Sequence, residues 1–496
     1  MVSSHCTRIT IKNAIEKNVK CTRVMPLKQK KRDSTMTEAP IYLYNSLTKH
    51  KDPLIKHEQP IGMYVCGPTV YNRPHIGNAR SVVVYDVLYR VLCHVYGKNG
   101  IIYVRNITDV DDKINEAAIQ RHCSIQQLTH EVTQQFHEDV AALGCVSPNH
   151  EPRATEHIAE IIAMVERLIA SGHAYESDQH VLFDVTAPAT DHWHYGMLSG
   201  RAVEDQEAGA RIAVESYKRN PGDFVLWKPA DAQDDPSSRF DSPWGVGRPG
   251  WHIECSAMST KYLGVNFDIH GGGADLKFPH HENEIAQSCC ANPHSHYARM
   301  WVHNGFLTVN GEKMSKSLGN FITVKDLLDK NVAGEAIRFA LLSAHYAKPL
   351  DWNDKLLDDS IKQLDKLYAR IKNVPQSDVP EPAVLEALCH DLNMPKAMAA
   401  LHQCHDTQLQ ASGALLGIIQ NYEQWEKYRI FRADESKKIT AQSTLSHEEI
   451  EGYIAQRKVA KAERNWAEAD RIRALCEAHG VILMDAADGS VTYSVT

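Results

Sequence analysis

No stretch of eighteen consecutive apolar residues occurs in the 496-residue chain, so a transmembrane helix is not expected. No internal repeat of fixed period is visible, and solenoids and propellers drop out with it. No apolar h-region of a secretory signal precedes the cysteines. The 12 cysteines are too scattered for a disulfide scaffold and read as reduced thiols of a cytosol-like compartment. Each is by default a small buried hydrophobe. Basic charge is not in excess: 54 Lys and Arg stand against 62 Asp and Glu, for a net charge of −8. A surface that binds phosphate must therefore be local.

The charge is unevenly spread. Residues 1–35 carry nine Lys and Arg against Glu16 and Asp33, or +7, which leaves −15 for the rest. This stretch reads as a basic arm, a transit peptide or residues ahead of a start at Met36, and the three readings stay open. Elsewhere the composition, 43% hydrophobic and 23% charged, is that of a soluble globular protein. The length implies two to four domains.

Ile61–Cys66 reads as a buried strand, broken by Gly67, Pro68, Asn72 and Pro74. From Ile76 a helical period begins, with Val83, Val84, Val87, Leu88, Val91, Leu92 and Val95 on one face, and Gly97 stops it. Residues 101–107 read as a second strand, so the unit is βαβ and the sheet parallel. Residues 112–172 look helical, 173–245 mix short strands and loops, and 265–273 return to a strand ending in three glycines. A helix is expected near Pro279, and strands at 300–312 around an Asn310-Gly311 turn. Beyond 335 the period is helical, with a Pro-rich break at 375–382, helices over 446–479 and a hairpin about Asp488-Gly489.

Three constellations carry chemistry. His75-Ile76-Gly77-Asn78 lies where strand gives way to helix, the place where open α/β sheets bind ligands. The helix N-terminus offers N–H groups and a positive dipole to phosphate, and Gly77 lets a flat ring approach. Lys313-Met314-Ser315-Lys316-Ser317 suits a mobile anion clamp whose lysines follow charge onto a leaving group. Cys66, Cys255, His280 and Glu284 form a donor set suited to Zn²⁺, with His280 and Glu284 on one face of a helix. From spacing alone that set is moderate evidence, because the two cysteines are 189 residues apart. His281 is an alternative to His280. Cys289, Cys290, His294 and His296 form a rival cluster that reads better as core thiols and surface histidines.

The first two motifs resemble the paired signatures of class I aminoacyl-tRNA synthetases, with Asn78 in place of the usual final histidine. Further stretches at 64–71, 105–109, 224–228, 250–258, 267–276 and 278–288 closely resemble the cysteinyl-tRNA synthetase family, from about residue 40 to the C-terminus. The resemblance implies an α/β fold: a Rossmann-like catalytic domain with an insertion, then a helical bundle and a small α+β C-terminal domain. The expected boundaries are 1–35 for the basic extension, 36–310 for the catalytic domain with its insertion at about 160–245, and 311–345 for a connecting region with the Lys313 loop. The bundle follows at 346–440 and the anticodon-reading domain at 441–496.

The resemblance further implies one zinc per chain on Cys66, Cys255, His280 and Glu284, holding a cysteine thiolate. ATP is assigned to His75, Gly77, Asn78, Gly272, Asp275 and Lys316, with Mg²⁺, and catalysis to His75, Lys313 and Lys316. Thr108 and Trp251 are assigned to the substrate cysteine. Arg457, Lys461 and Arg464, one helical face with Lys458, Arg471 and Arg473 nearby, are assigned to tRNA(Cys) phosphates. Trp466 stacks on a base or belongs to the core, with core preferred. The expected reaction joins L-cysteine to tRNA(Cys) through cysteinyl-adenylate, in a cytoplasmic monomer; mitochondrial import through residues 1–35 is the alternative. The rivals are a mycothiol-pathway ligase joining cysteine to an amino sugar, which lacks a full anticodon-binding region, and a catalytically silent RNA-binding paralogue. Roughly 150 residues after the Lys313 loop argue against the first, and the intact motifs against the second.

Overall fold

The computed structural model describes residues 40–55, 59–190, 192–201, 215–231, 234–315, 318–442, 445–485 and 491–495. The basic extension 1–35 and the Asp488-Gly489 turn lie outside them. Strands β1 (Tyr42–Asn45) and β2 (His50–Pro53) form a hairpin that precedes β3 (Ile61–Val65), whose five residues are all buried. Helix α1 (Ile76–Tyr96) starts in a capping box: the His75 ring accepts from the Asn78 N–H, and the Asn78 side chain accepts from the His75 N–H. Gly97, at φ 83°, ends it, and β4 (Ile101–Arg105) follows.

Helices α2 (Asp112–Arg121), α3 (Ile125–Ala142) and α4 (Ile158–Ala170) lead to a separate antiparallel sheet. Its strands are β5 (Ala174–Ser177), β6 (His180–Phe183), β7 (Phe224–Pro229) and β8 (Gly247–Pro249). The chain then returns through α5 (Trp251–Leu263) to β9 (Asn266–Gly273), α6 (Glu282–Ala291) and β10 (Tyr297–Asn304). Strands β10, β9, β3 and β4 lie side by side in that order, all parallel. Alternation along β3 divides the core: Ile61, Met63 and Val65 pack with Val83 and Val87 of α1, whereas Tyr64 packs with Ile253 and Met258 of α5. Both faces of the sheet are covered, as a parallel sheet requires. In register, Val65 lies beside Arg105 and Gly271, so the carboxyl ends of the strands share one edge.

A wide helical turn, Lys277–His281, carries His280 and runs into α6; within it Phe278 is extended (φ −145°, ψ 131°), as the residue before a proline prefers. Strands β11 (Leu307–Val309) and β12 (Glu312–Lys313) pair through Asn310 and Gly311, both at positive φ. Helices α7 (Val324–Asp329) and α8 (Gly334–Leu341) follow, and β13 (Leu350–Trp352) pairs in parallel with β11. The bundle comprises α9 (Asp354–Ile371), α10 (Pro382–Cys389), α11 (Met394–Gln403), α12 (Leu409–Leu416) and α13 (Tyr422–Gln442). A last unit of α14 (His447–Ala462), α15 (Trp466–Ala478) and the hairpin β14 (Val481–Asp485) with β15 (Val491–Val495) has its own core of Leu445, Ile450, Ile472, Cys476, Val481 and Leu483. Trp466 is not in that core: it is 60% exposed at the first position of α15, where no apolar neighbour turn covers it. Among the described residues no helix is long and apolar enough to cross a membrane.

One buried ion pair joins α1 to the bundle. The Arg338 guanidinium of α8 meets Asp86 of α1 and donates to the Leu416 carbonyl (2.7 Å). Asp86 also accepts from the Val146 N–H (2.6 Å) and Arg90 (2.7 Å). Burial pushes the Asp86 carboxyl up, but Arg338, Arg90 and that N–H outweigh it and hold it below the usual carboxylate range. Gly417, at φ 68°, lies against the guanidinium; a Cβ there would sit 2.4 Å from Arg338. Arg338→Ala leaves Asp86 buried with its main counter-charge gone, and is expected to cost about 3–5 kcal/mol of stability. Denaturant unfolding reads this directly; a loss under about 1 kcal/mol, the scale of an exposed pair, would show the pair to be screened.

Candidate active site

Four potential ligand atoms meet at the carboxyl edge of the parallel sheet. Cys66 directly follows β3, Cys255 lies on α5, His280 in the turn before α6, and Glu284 on α6. Their donor atoms all lie within 4.8 Å of one another. Cys66 Sγ is 3.7 Å from Cys255 Sγ and 3.4 Å from Glu284 Oε1, and His280 Nε2 is 3.2 Å from the same oxygen. Except for half-buried Cys66, all are buried. Two thiols, an imidazole and a carboxylate form a donor set compatible with Zn²⁺. A second set overlaps the first: Cys66, His270, His281 and Glu284. Cys289 and Cys290 are fully buried, burial pushes their thiols up, and neither belongs to a candidate metal group among the described residues.

The ligands are oriented from behind. Glu284 divides its two oxygens: Oε2 accepts from the Tyr297 hydroxyl (2.8 Å) and faces His270 Nε2 (2.8 Å), while Oε1 faces the sulfur and imidazole. Burial pushes this carboxyl up, but His270, His280 and Tyr297 bring it below its usual range. His280 presents Nε2 to the cluster because its Nδ1 meets His252 Nδ1 (3.0 Å). His281 Nδ1 instead pairs with His303 Nε2 (2.8 Å). Burial raises Cys66 strongly; burial raises Cys255 too, but its hydrogen bonds with Cys66 and His280 bring it down to about 6. Trp251 opens α5, 37% exposed, with its indole stacked on the His280 ring at 4.2 Å.

The two other sequence motifs come together at the start of α1. His75 caps α1, its ring edge-on to Phe321 at 5.3 Å. The Asp275 carboxylate favours the charged form of both His75 and His280, against their burial. A Cβ on Gly77 would lie 2.8 Å from the His75 ring and 3.8 Å from the methyl of Met314. The two motifs, 238 residues apart in sequence, therefore meet here. Lys313 is exposed at the end of β12; Lys316 and Ser317 lie outside the described residues. Asn78 spends its side-chain oxygen on the His75 N–H (3.1 Å). Gly272 backs onto the His281 ring.

Thr108 is buried, accepts from Asn106 (3.2 Å) and donates to Glu254 (3.0 Å). The basic stripe of α14 is largely occupied. Arg457 is buried and makes two bonds to Asp485 (2.7 and 2.8 Å), and Lys461 lies 2.8 Å from the same carboxylate. Arg464 is exposed. Sequence reasoning missed Tyr297, Asn106, His252 and His303. His270 and His252 fall inside stretches quoted for the resemblance, but a strand tyrosine such as Tyr297 carries no spacing signal.

Residues 53–362 match the family model for the catalytic domain of class I (C) tRNA synthetases. A cysteine–tRNA ligase of Wolbachia pipientis subsp. Culex pipiens is 47% identical over 91% of this chain and 98% of its own length. One from Rhodospirillum rubrum is 48% identical with the same coverage, as is one from Rickettsia felis. Among solved structures, a Mycobacterium tuberculosis methionyl-tRNA synthetase in complex with methionyl-adenylate aligns with a TM-score of 0.49 at 15% identity, over 72% of this chain and 89% of that one.

Tyr297→Phe removes one of the two groups that hold Glu284 Oε2. It is expected to weaken divalent-metal binding about 10–100-fold, measured by competition with a chromophoric chelator. An unchanged affinity would show that Glu284 needs no such anchor.

Proposed function

The chain belongs to the cysteine–tRNA ligase family of class I tRNA synthetases, and we propose that Cys66, Cys255, His280 and Glu284 hold one zinc ion that takes the thiolate of the substrate cysteine. Enzymes of this family use ATP, cysteine and tRNA as substrates. The observation that carries the proposal is the buried set of two thiols, an imidazole and a carboxylate, with donor atoms within 4.8 Å, at the sheet edge beside His75. The overlapping set is less suitable, because His270 Nε2 is already engaged with Glu284 Oε2. Bound zinc supplies a soft acceptor for a thiolate, which a serine hydroxyl cannot imitate. A merely hydrophobic pocket separates such isosteres by only about 10–200-fold.

The remaining roles fall to the chain itself. Trp251 walls the cysteine, and Thr108, fixed between Asn106 and Glu254, lines the approach to its polar end. Gly77 and Gly272 let ATP lie against the backbone, and Asp275 accepts from the ribose. Asn78 serves the nucleotide indirectly, by closing the first turn of α1 around His75. The cysteine carboxylate attacks the α-phosphorus, giving cysteinyl-adenylate and pyrophosphate. His75 and the α1 N-terminus hold phosphate oxygens, and Lys313 and Lys316 neutralise the charge that moves to pyrophosphate, with Mg²⁺ accompanying ATP. The hydroxyl of the 3′-terminal adenosine of tRNA(Cys) then takes the cysteinyl group. Arg464 and the exposed Trp466 are the better candidates for tRNA contact, since Asp485 engages Arg457 and Lys461 in the chain alone.

The alignment with tRNA ligases spans 91% of the chain, so it reaches into the C-terminal third, where an amino-sugar ligase lacks a full anticodon-binding region. The decisive experiment is ATP-dependent attachment of labelled cysteine to total tRNA by the purified protein. Charging that rejects serine supports the reading; cysteine-driven ATP–pyrophosphate exchange without charging would move the acceptor to a small amine. Cys255→Ser is expected to lower bound zinc and raise KM for cysteine by more than about tenfold. Normal zinc content and normal KM would remove Cys255 from the site.

A further inference from the structure

Arg80 is a buried cation that the reaction does not use. It lies on α1, four residues after Ile76, with no solvent exposure. Among the described residues its guanidinium bonds to no carboxylate. It donates instead to five main-chain carbonyls: Gly305 (2.9 Å), Phe306 (2.8 Å), Lys348 (2.7 Å), His345 (3.3 Å) and Tyr346 (3.5 Å). Burial lowers its pKa to about 10, so it stays charged at neutral pH. Burying an unpaired cation is costly, and charge-assisted bonds to several carbonyls are what offset it. The carbonyls come from two segments that run side by side. Gly305 N–H donates to Tyr346 (2.8 Å), Leu350 N–H to Phe306 (3.0 Å), and a Cβ on Gly305 would lie 2.4 Å from the Lys348 oxygen.

Those segments are the roots of one small sheet. Phe306 leads directly into β11, whose hairpin partner β12 ends at Lys313, and Lys348 leads into β13, which pairs with β11. The far side of the Lys313 loop returns to the same helix: Ile76 N–H donates to Ile322 O (2.9 Å), and His75 bridges to Thr323. The loop is thus held at both ends by the first turns of α1. We propose that Arg80 is a positioning residue, which fixes the root of the Lys313 hairpin against the His75 end of α1 and so sets the distance between the two phosphate-handling groups. This rests on the reading that His75 and Lys313 act on the phosphates of ATP.

The test uses the full chain loaded with zinc and follows cysteine-dependent ATP–pyrophosphate exchange. Lysine keeps the charge but cannot reach both segments at once. R80K is expected to fold and hold its zinc, with kcat for exchange lowered about 10–100-fold. KM for cysteine should stay within about twofold, since the thiol site is untouched. Gly305→Ala crowds the same pair of segments without replacing Arg80 and should give the same split, which keeps the proposal testable if R80K does not fold. Arg338→Lys, a buried arginine that ties α1 to the bundle instead, should lower the melting temperature without lowering kcat. A folded R80K or G305A with kcat within about twofold of the parent would overturn the proposal, as would a matching kcat loss in Arg338→Lys. Normal exchange by His75→Ala and Lys313→Ala would instead overturn the underlying reading, so the two failures are distinguishable.

Discussion

A carboxylate without solvent needs partners on every side, and Glu284 gathers them from each layer of the catalytic unit. Tyr297 comes from β10, His270 from β9, Cys66 from the end of β3 and His280 from the turn ahead of α6. Because one oxygen is tied to strand residues, the other has a fixed direction, and the thiols and imidazole gather about it. Cys66 follows the end of β3, but His270 lies within β9 and Tyr297 opens β10 beside Asn266, so Glu284 ties the carboxyl edge of the sheet to its interior.

Helix α1 links that edge to everything downstream. Its N-terminus carries His75, its second turn holds Arg80, and its third meets Arg338 through Asp86. Arg80 and Arg338 are both buried, one bonded to backbone carbonyls and the other to a counter-charge, and neither makes a surface pair that salt would screen.

The sequence made some of this legible and concealed the rest. The β3–α1–β4 unit was readable because a continuous apolar run and a 3.6 period cannot easily be confused when Gly and Pro separate them. The wide spacing of Cys66 and Cys255 gave only moderate support, and resemblance to a family, not spacing, picked out the ligand set. The spacing of His280 and Glu284 suggests one helical face, and they meet there, across the turn that leads into α6. Arg457 and Lys461 looked like an open basic stripe since a helical wheel cannot show Asp485, which arrives from β14. Trp466 reads as a core residue sooner than as a stacking one, yet at the first position of α15 it is exposed. Tyr297 was invisible: a tyrosine's partner is set by the neighbouring strand, and nothing local encodes it.

The capping box at the start of α1 has a further consequence for how work is divided between the two motifs. His75 Nδ1 accepts a hydrogen from the Asn78 N–H, so in the neutral ring the proton must reside on Nε2. Burial also holds the imidazole below its usual pKa, although Asp275 opposes this. Under the role proposed for His75, its Nε2–H is the group that would meet a phosphate oxygen, while the lysines across the gap would carry positive charge. A histidine at position 78 in place of Asn78 would add a second imidazole to that task; asparagine instead keeps the first one aimed.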